Sequence, residues 1–169
     1  MPKKGAIIFW GLTRGLEHTI NNLRTHLFDV LTENDVEYDI FIHTWYFEGE
    51  YSNKRHGVKP VKLDFAEYKL LNAKYVILED QDKVQKEFDL QEYRSKGDFF
   101  ANGFQSSDFY ILSLISQKRI VSKFEEVKDE YDFVIFQRPD ILYEKKFNID
   151  YLELQESTID GAYAVQITP

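Results

Sequence analysis

The sequence predicts an α/β fold with a mostly parallel central sheet and helices on both faces. Three observations carry that expectation. Apolar runs of strand length recur at Ala6–Trp10, Asp39–Trp45, Tyr75–Leu78 and Phe133–Phe136. Segments with apolar residues at helical spacing lie between them, over roughly 16–33 and 107–126. Repeated βα units build parallel sheets, and right-handed crossovers bring the loops after each strand to one edge. The chain has 169 residues, 43% of them hydrophobic, which suffices for a core and reads as a single domain over 1–169.

The first strand runs into Gly11-Leu12-Thr13-Arg14-Gly15, and Leu16, Ile20, Leu23, Leu27, Val30 and Leu31 then mark an amphipathic helix. Strand, glycine-bearing loop and helix together present backbone N–H groups to an anion. Thr13 adds a hydroxyl and Arg14 a fork suited to phosphate. The glycine spacing matches neither the dinucleotide fingerprint nor a P-loop, so an ordinary turn with a solvated arginine fits equally. The second strand carries His43 and Trp45 to the same edge, although a lone histidine fits a structural role as well. Residues 46–62 are polar and glycine-bearing and read as a long mobile loop, a lid over the site. Asp64–Leu71 reads as a short helix.

The third strand ends in Glu79-Asp80-Gln81-Asp82. Asp80 and Asp82 have a spacing that suits a divalent cation. The same residues fit an acidic turn opening a helix, with Asp82 favoured by the dipole. Residues 83–105 are mixed in character and broken by Gly97 and Gly103. Ser106 or Ser107 reads as the N-cap of the next helix. Phe133–Phe136 is an unbroken apolar run, expected to be buried on both faces in the middle of the sheet. It must stop at Pro139, which has no N–H for the ladder. Arg138 and Asp140 then stand just past a strand end, where α/β sheets bind ligands. They suit a phosphate and a metal, or equally a surface ion pair. Gly161–Pro169 reads as a last strand.

Composition narrows the function. A net charge of -8 argues against a nucleic-acid partner but not against a nucleotide, which needs only a local basic site. The chain has no cysteine, so disulfides, a thiol nucleophile and cysteine-held metals are excluded. No apolar run approaches a membrane span, and Met-Pro-Lys-Lys-Gly is not followed by a signal-peptide core, so a cytoplasmic protein is expected. The 14 Phe and 11 Tyr suit a thick core and offer rings for stacking on a sugar or base. No P-loop or kinase-like set is present, which disfavours phosphoryl transfer.

Four strand ends thus bring Thr13/Arg14, His43/Trp45, Asp80/Asp82 and Arg138/Asp140 to one rim. The opening Ile-Ile-Phe-Trp-Gly-Leu-Thr-Arg-Gly resembles a group of GT-A-fold glycosyltransferases of large DNA viruses, bacteria and algae. So do the Asp-Ile-Phe-Ile-His-Thr-Trp strand, the Ser-Ser-Asp-Phe-Tyr-Ile-Leu-Ser helix and the Tyr-Asp-Phe-Val-Ile-Phe-Gln-Arg-Pro-Asp strand end, and the order is kept over most of the chain. The resemblance implies a Rossmann-like sheet and transfer of a sugar from a UDP- or GDP-type donor to a carbohydrate hydroxyl. Gly11, Thr13 and Arg14 would lie near the nucleotide, joined by His43 and Asp80 from the neighbouring strand ends. Asp140 would ligate Mn²⁺ or Mg²⁺ on the diphosphate. Arg138 stands where the family usually has a first aspartate; a metal held by one carboxylate, diphosphate oxygens and water is still feasible for a hard cation but weaker, and the guanidinium would partly replace it by neutralising the phosphates. Arg138 and Asp140 are the expected catalytic pair, and Asp80 with Asp82 is the rival metal pair. No catalytic base is assigned. The acceptor half of such enzymes normally follows in the chain, so these residues are expected to be the N-terminal part of a longer protein. The alternatives are a non-catalytic nucleotide-sugar binding module and an α/β interaction domain whose rim charges are ordinary surface.

Overall fold

A computed structural model describes residues 2–153. The strand expected over 161–169 lies outside them. The chain opens with β1 (Lys4–Trp10) and enters α1 (Leu16–Leu23), a π-helical turn (Arg24–Phe28) and α2 (Asp29–Glu33) without a break. The wide turn disrupts the regular ladder. Within it the His26 carbonyl accepts the Phe147 N–H at 2.7 Å, tying the later chain to this helix. β2 (Glu37–Tyr46) follows, then a hairpin of β3 (Tyr51–Asn53) and β4 (Val58–Val61), a 3-10 turn (Glu67–Leu71) and β5 (Tyr75–Asp80). Two short helices, α3 (Gln81–Glu87) and α4 (Leu90–Arg94), lead to the long α5 (Gln105–Glu125) and to β6 (Phe133–Gln137).

β5, β2, β1 and β6 form a four-stranded sheet in that order, and every pair is parallel. This is the expected fold class. The strand period of two sorts the core. Ile7, Phe9, Ile40 and Ile42 face the α1 side with Leu16, Leu23 and Leu27. Ala6, Ile8 and Phe41 face the other side with Ile120 of α5. β1 and β2 are the inner strands, and Ile7, Ile8, Phe9, Phe41 and Ile42 are wholly buried. Gly5 is required by its neighbour: the Phe133 ring lies where a Cβ would project, so the two strands approach through a missing side chain.

Four expectations change. Among the described residues β6 pairs with β1 alone and ends the sheet rather than lying in its middle. Phe133 and Ile135 pack toward the α1 side and Val134 toward α5, yet Phe136 is 53% exposed. An apolar run reports that the faces are covered, not how many strands hydrogen-bond alongside. Residues 46–62 are not one long irregular loop. β3 and β4 pair antiparallel, and Tyr51 and Asn53 are buried, because Tyr51 stacks on Phe109 and Gln105 holds the hairpin backbone. The helix expected over 64–71 is a 3-10 turn. The N-cap of α5 is Phe104, at φ 66, rather than Ser106 or Ser107. Asp98 reaches forward to accept the Gly103 and Phe104 N–H groups and so fixes the helix entry from outside the expected position.

Candidate functional site: an anion cleft at the sheet edge

From β1 the chain crosses through α1 to β2 on one side, while β6 lies on the other side of β1. The strand order therefore reverses between β1 and β6, and such a switch point leaves a crevice beyond the carboxyl ends of the strands. A cleft of about 280 Å³ occupies that place. Trp10, Gly11 and Arg14 line it from the end of β1, and Arg138, Pro139 and Asp140 from the end of β6. The β3–β4 hairpin adds Tyr51, Arg55 and His56, and α5 adds Phe109 and Tyr110.

Each wall is fixed by identifiable bonds. Gly11 turns the chain at φ 89, a conformation that favours glycine, and donates its N–H to Ser116 Oγ at 2.8 Å. The Arg14 guanidinium lies over the Tyr51 ring at 4.6 Å, and Arg55 lies over Phe100 at 4.3 Å. Arg138 grips both oxygens of Asp140, at 2.9 and 2.7 Å. That bond raises the guanidinium pKa further, against partial burial, so Arg138 is a permanent cation. The turn bearing the pair is bolted to α1. Thr19 donates to the Pro139 carbonyl at 2.6 Å, and the Asn22 carboxamide both accepts the Tyr143 N–H and donates to the Tyr143 carbonyl. The Tyr143 hydroxyl donates to Gln137 Oε1, and burial pushes its pKa up to about 12.

The electrostatic balance is unusual for a chain of net charge -8. Arg14, Arg55 and Arg138 converge on the cleft, and among its lining residues Asp140 is the sole carboxylate. Because Arg138 already takes both Asp140 oxygens, the remaining guanidinium charge faces a space suited to an anion of more than one charge.

Of the residues singled out from sequence, Gly11, Arg14, Arg138 and Asp140 line the cleft together, with Trp45. Thr13 is 3% exposed and offers its carbonyl to Leu16 N–H. His43 is wholly buried and does not line the cleft. Its Nδ1 lies 2.8 Å from Ser116 Oγ and its Nε2 2.9 Å from Glu79 Oε2. Burial lowers its pKa, and Glu79 only partly opposes this, so the imidazole is neutral near pH 7. Ser, His and Glu in this order have the composition of an acyl-transfer triad. Ser116, however, is wholly buried, so it is no nucleophile. Asp80 is the N-cap of α3, its Oδ1 accepting the Asp82 and Lys83 N–H groups. Neither Asp80 nor Asp82 lines the cleft, although Gln81 between them does.

The cleft offers no ready-made cluster of protein ligands for a cation. Among the described residues no three His, Asp or Glu side chains gather as metal ligands, and both Asp140 oxygens are engaged by Arg138. No helix among the described residues is long and apolar enough to cross a membrane.

Sequence reasoning missed the hairpin wall. Arg55 and His56, in a glycine-bearing polar stretch, were the available signal, but nothing local says that this stretch folds back over the strand ends. It also missed the Thr19 and Asn22 clamp, whose spacing of three on one helix face is visible but whose partners lie far along the chain. No protein-family model, curated protein or solved structure matches this chain.

Proposed function

We propose that the cleft binds the diphosphate of a nucleotide sugar and that this chain carries the donor-binding part of a glycosyltransferase. The observation that carries the proposal is the set of three arginines at the switch point of an otherwise acidic protein. Phosphate oxygens match guanidinium forks, and Arg138 is held ready by its bidentate bond to Asp140. The aromatic rings of Trp10 and Tyr110 supply flat surfaces for a base or sugar ring. In transfer, an acceptor hydroxyl attacks the anomeric carbon while negative charge builds on the departing diphosphate. Fixed guanidinium groups stabilise that charge without reorganising. Since Arg138 already engages both Asp140 oxygens, this reading assigns charge neutralisation to the arginines ahead of Mn²⁺ or Mg²⁺.

A second reading, binding without transfer, is favoured by one observation. Among the described lining residues no carboxylate is left over to serve as a base for the acceptor hydroxyl. A thermal-shift screen of UDP, GDP, CMP and dTDP and their sugar conjugates tests both readings. A ligand that binds only the folded state raises the melting temperature. Stabilisation by one nucleoside diphosphate, equal with and without Mn²⁺, is expected, and a flat screen refutes the diphosphate reading. Release of free sugar from the stabilising conjugate separates an enzyme from a binding module.

A further inference from the structure

Behind the cleft runs a line of hydrogen bonds that ends on the Gly11 peptide. Gly11 N–H donates to Ser116 Oγ, which is 2.8 Å from His43 Nδ1. His43 Nε2 reaches Glu79 Oε2 at 2.9 Å, and Arg119 Nε lies 3.3 Å from the same oxygen. The members come from the β1 loop, α5, β2 and β5, so the line crosses the sheet at its carboxyl edge. With a neutral imidazole one proton assignment satisfies every atom. The Glu79 carboxylate only accepts, so Nε2 carries the proton. Nδ1 is then an acceptor and at 2.8 Å takes the Ser116 O–H in preference to the His43 carbonyl at 3.3 Å, which leaves a Ser116 lone pair for Gly11.

We propose that Glu79, His43 and Ser116 are positioning residues that fix the Gly11 peptide, and with it the loop bearing Arg14, in the anion-ready geometry. Gly11 is the point between β1 and Arg14 where the backbone is freest, since glycine takes positive and negative φ almost equally. Holding its N–H removes that freedom before a ligand arrives, and preorganisation of this kind raises affinity without adding a contact. Glu79 sets the tautomer, the tautomer sets the direction of the Ser116 hydroxyl, and the hydroxyl leaves its lone pair facing Gly11. The ligand part of this role rests on the diphosphate reading; the relay itself does not.

The test combines ¹⁵N NMR of the His43 ring, hydrogen exchange at the Gly11 amide, and calorimetric titration with UDP and GDP. Wild type is expected to show the Nε2–H tautomer and a protected Gly11 amide. Glu79→Gln keeps an acceptor oxygen and preserves both signals. Glu79→Ala loses the single tautomer and speeds Gly11 exchange. Ser116→Ala speeds Gly11 exchange about tenfold and weakens nucleoside diphosphate binding about fivefold, the scale of one lost hydrogen bond. An Nδ1–H tautomer in wild type, or unchanged exchange and affinity in folded Ser116→Ala, overturns the proposal. Should Ser116→Ala not fold, the Glu79 pair decides, since that side chain is only partly buried. If neither nucleotide binds wild type, the diphosphate reading fails, while the tautomer and Gly11 exchange still decide the relay.

Discussion

Replacing Arg138 and Asp140 one at a time separates charge neutralisation by guanidinium from charge neutralisation by metal. The side chains are 53% and 27% exposed. Solvent screening therefore holds the pair's contribution to folding at about 0–1 kcal/mol. For a chain of this size that corresponds to about 2–4 °C of melting temperature at most. The ligand effects differ far more. Arg138→Ala removes a charged donor, a loss of about 1.5–3 kcal/mol, and exposure places the expectation near the lower end, about tenfold to twentyfold in Kd. Asp140→Ala has two opposed effects. It frees the Arg138 fork, whose ordering on binding costs about 0.5–1.5 kcal/mol. It also removes a negative charge beside the diphosphate, worth about 1 kcal/mol at 4 Å in water. The net change is within about threefold. Calorimetric titration with the nucleoside diphosphate that stabilises wild type, at low ionic strength with and without Mn²⁺, reads both variants. A large loss at Arg138, a small one at Asp140 and indifference to Mn²⁺ are expected. Binding that requires Mn²⁺ and disappears in Asp140→Ala would refute the reasoning, because it would make Asp140 a metal ligand.

Two further outcomes follow from the same contacts. Burial lowers the His43 pKa, so below about pH 6.5 the unfolded chain binds a proton that the folded chain resists. The stability His43 contributes is thus complete above about pH 6.5 and declines as pH falls toward its folded value. In denaturant unfolding, the advantage of wild type over His43→Asn should shrink as pH falls from 7 to 5, and a constant difference refutes the assignment. Asn22→Ala deletes both bonds to the Tyr143 backbone. A melting temperature lower by several degrees is expected, together with weaker diphosphate binding, since the Arg138 turn loses an anchor. Unchanged binding would show that Thr19 alone holds that turn.

The sheet was legible because its signals are local. Ala6–Trp10 and the helical spacing after Gly15 each announce their element within a few residues, and Pro139 stops β6 just after Gln137. The switch-point residues Gly11, Arg14, Arg138 and Asp140 could be named because strand ends are where α/β sheets bind ligands. What escaped depends on distance along the chain. Phe133–Phe136 has the composition of an inner strand, but among the described residues it has β1 alone beside it, and which strands pair is set by contacts distant along the chain. Asp80 and Asp82 have a metal-like spacing, yet Asp80 faces the N–H groups of its own following helix, a competing use of the same oxygens. His43 falls at the end of its strand, beside the rim, yet the strand alternation that buries Phe41 and Trp45 against α5 turns it inward too. The wall from 51–56 had no period to betray it.

That wall has a different standing from the one opposite. Arg138 and Asp140 sit on a turn whose backbone is bonded to α1, and Gly11 continues a strand whose centre is fully buried, so altering their setting disturbs the core. Arg55 and His56 sit at the tip of a hairpin inserted between two sheet strands. Gln105 bonds that hairpin on both sides, to Lys54 N–H and to the Ser52 carbonyl. Substitutions at the tip leave the core beneath the sheet untouched, although Arg55 and His56 share the cleft with Arg14 and Arg138. A lineage can therefore exchange the tip, and with it the share of the cleft's positive charge that Arg55 supplies, while inheriting Arg14 and Arg138 in place.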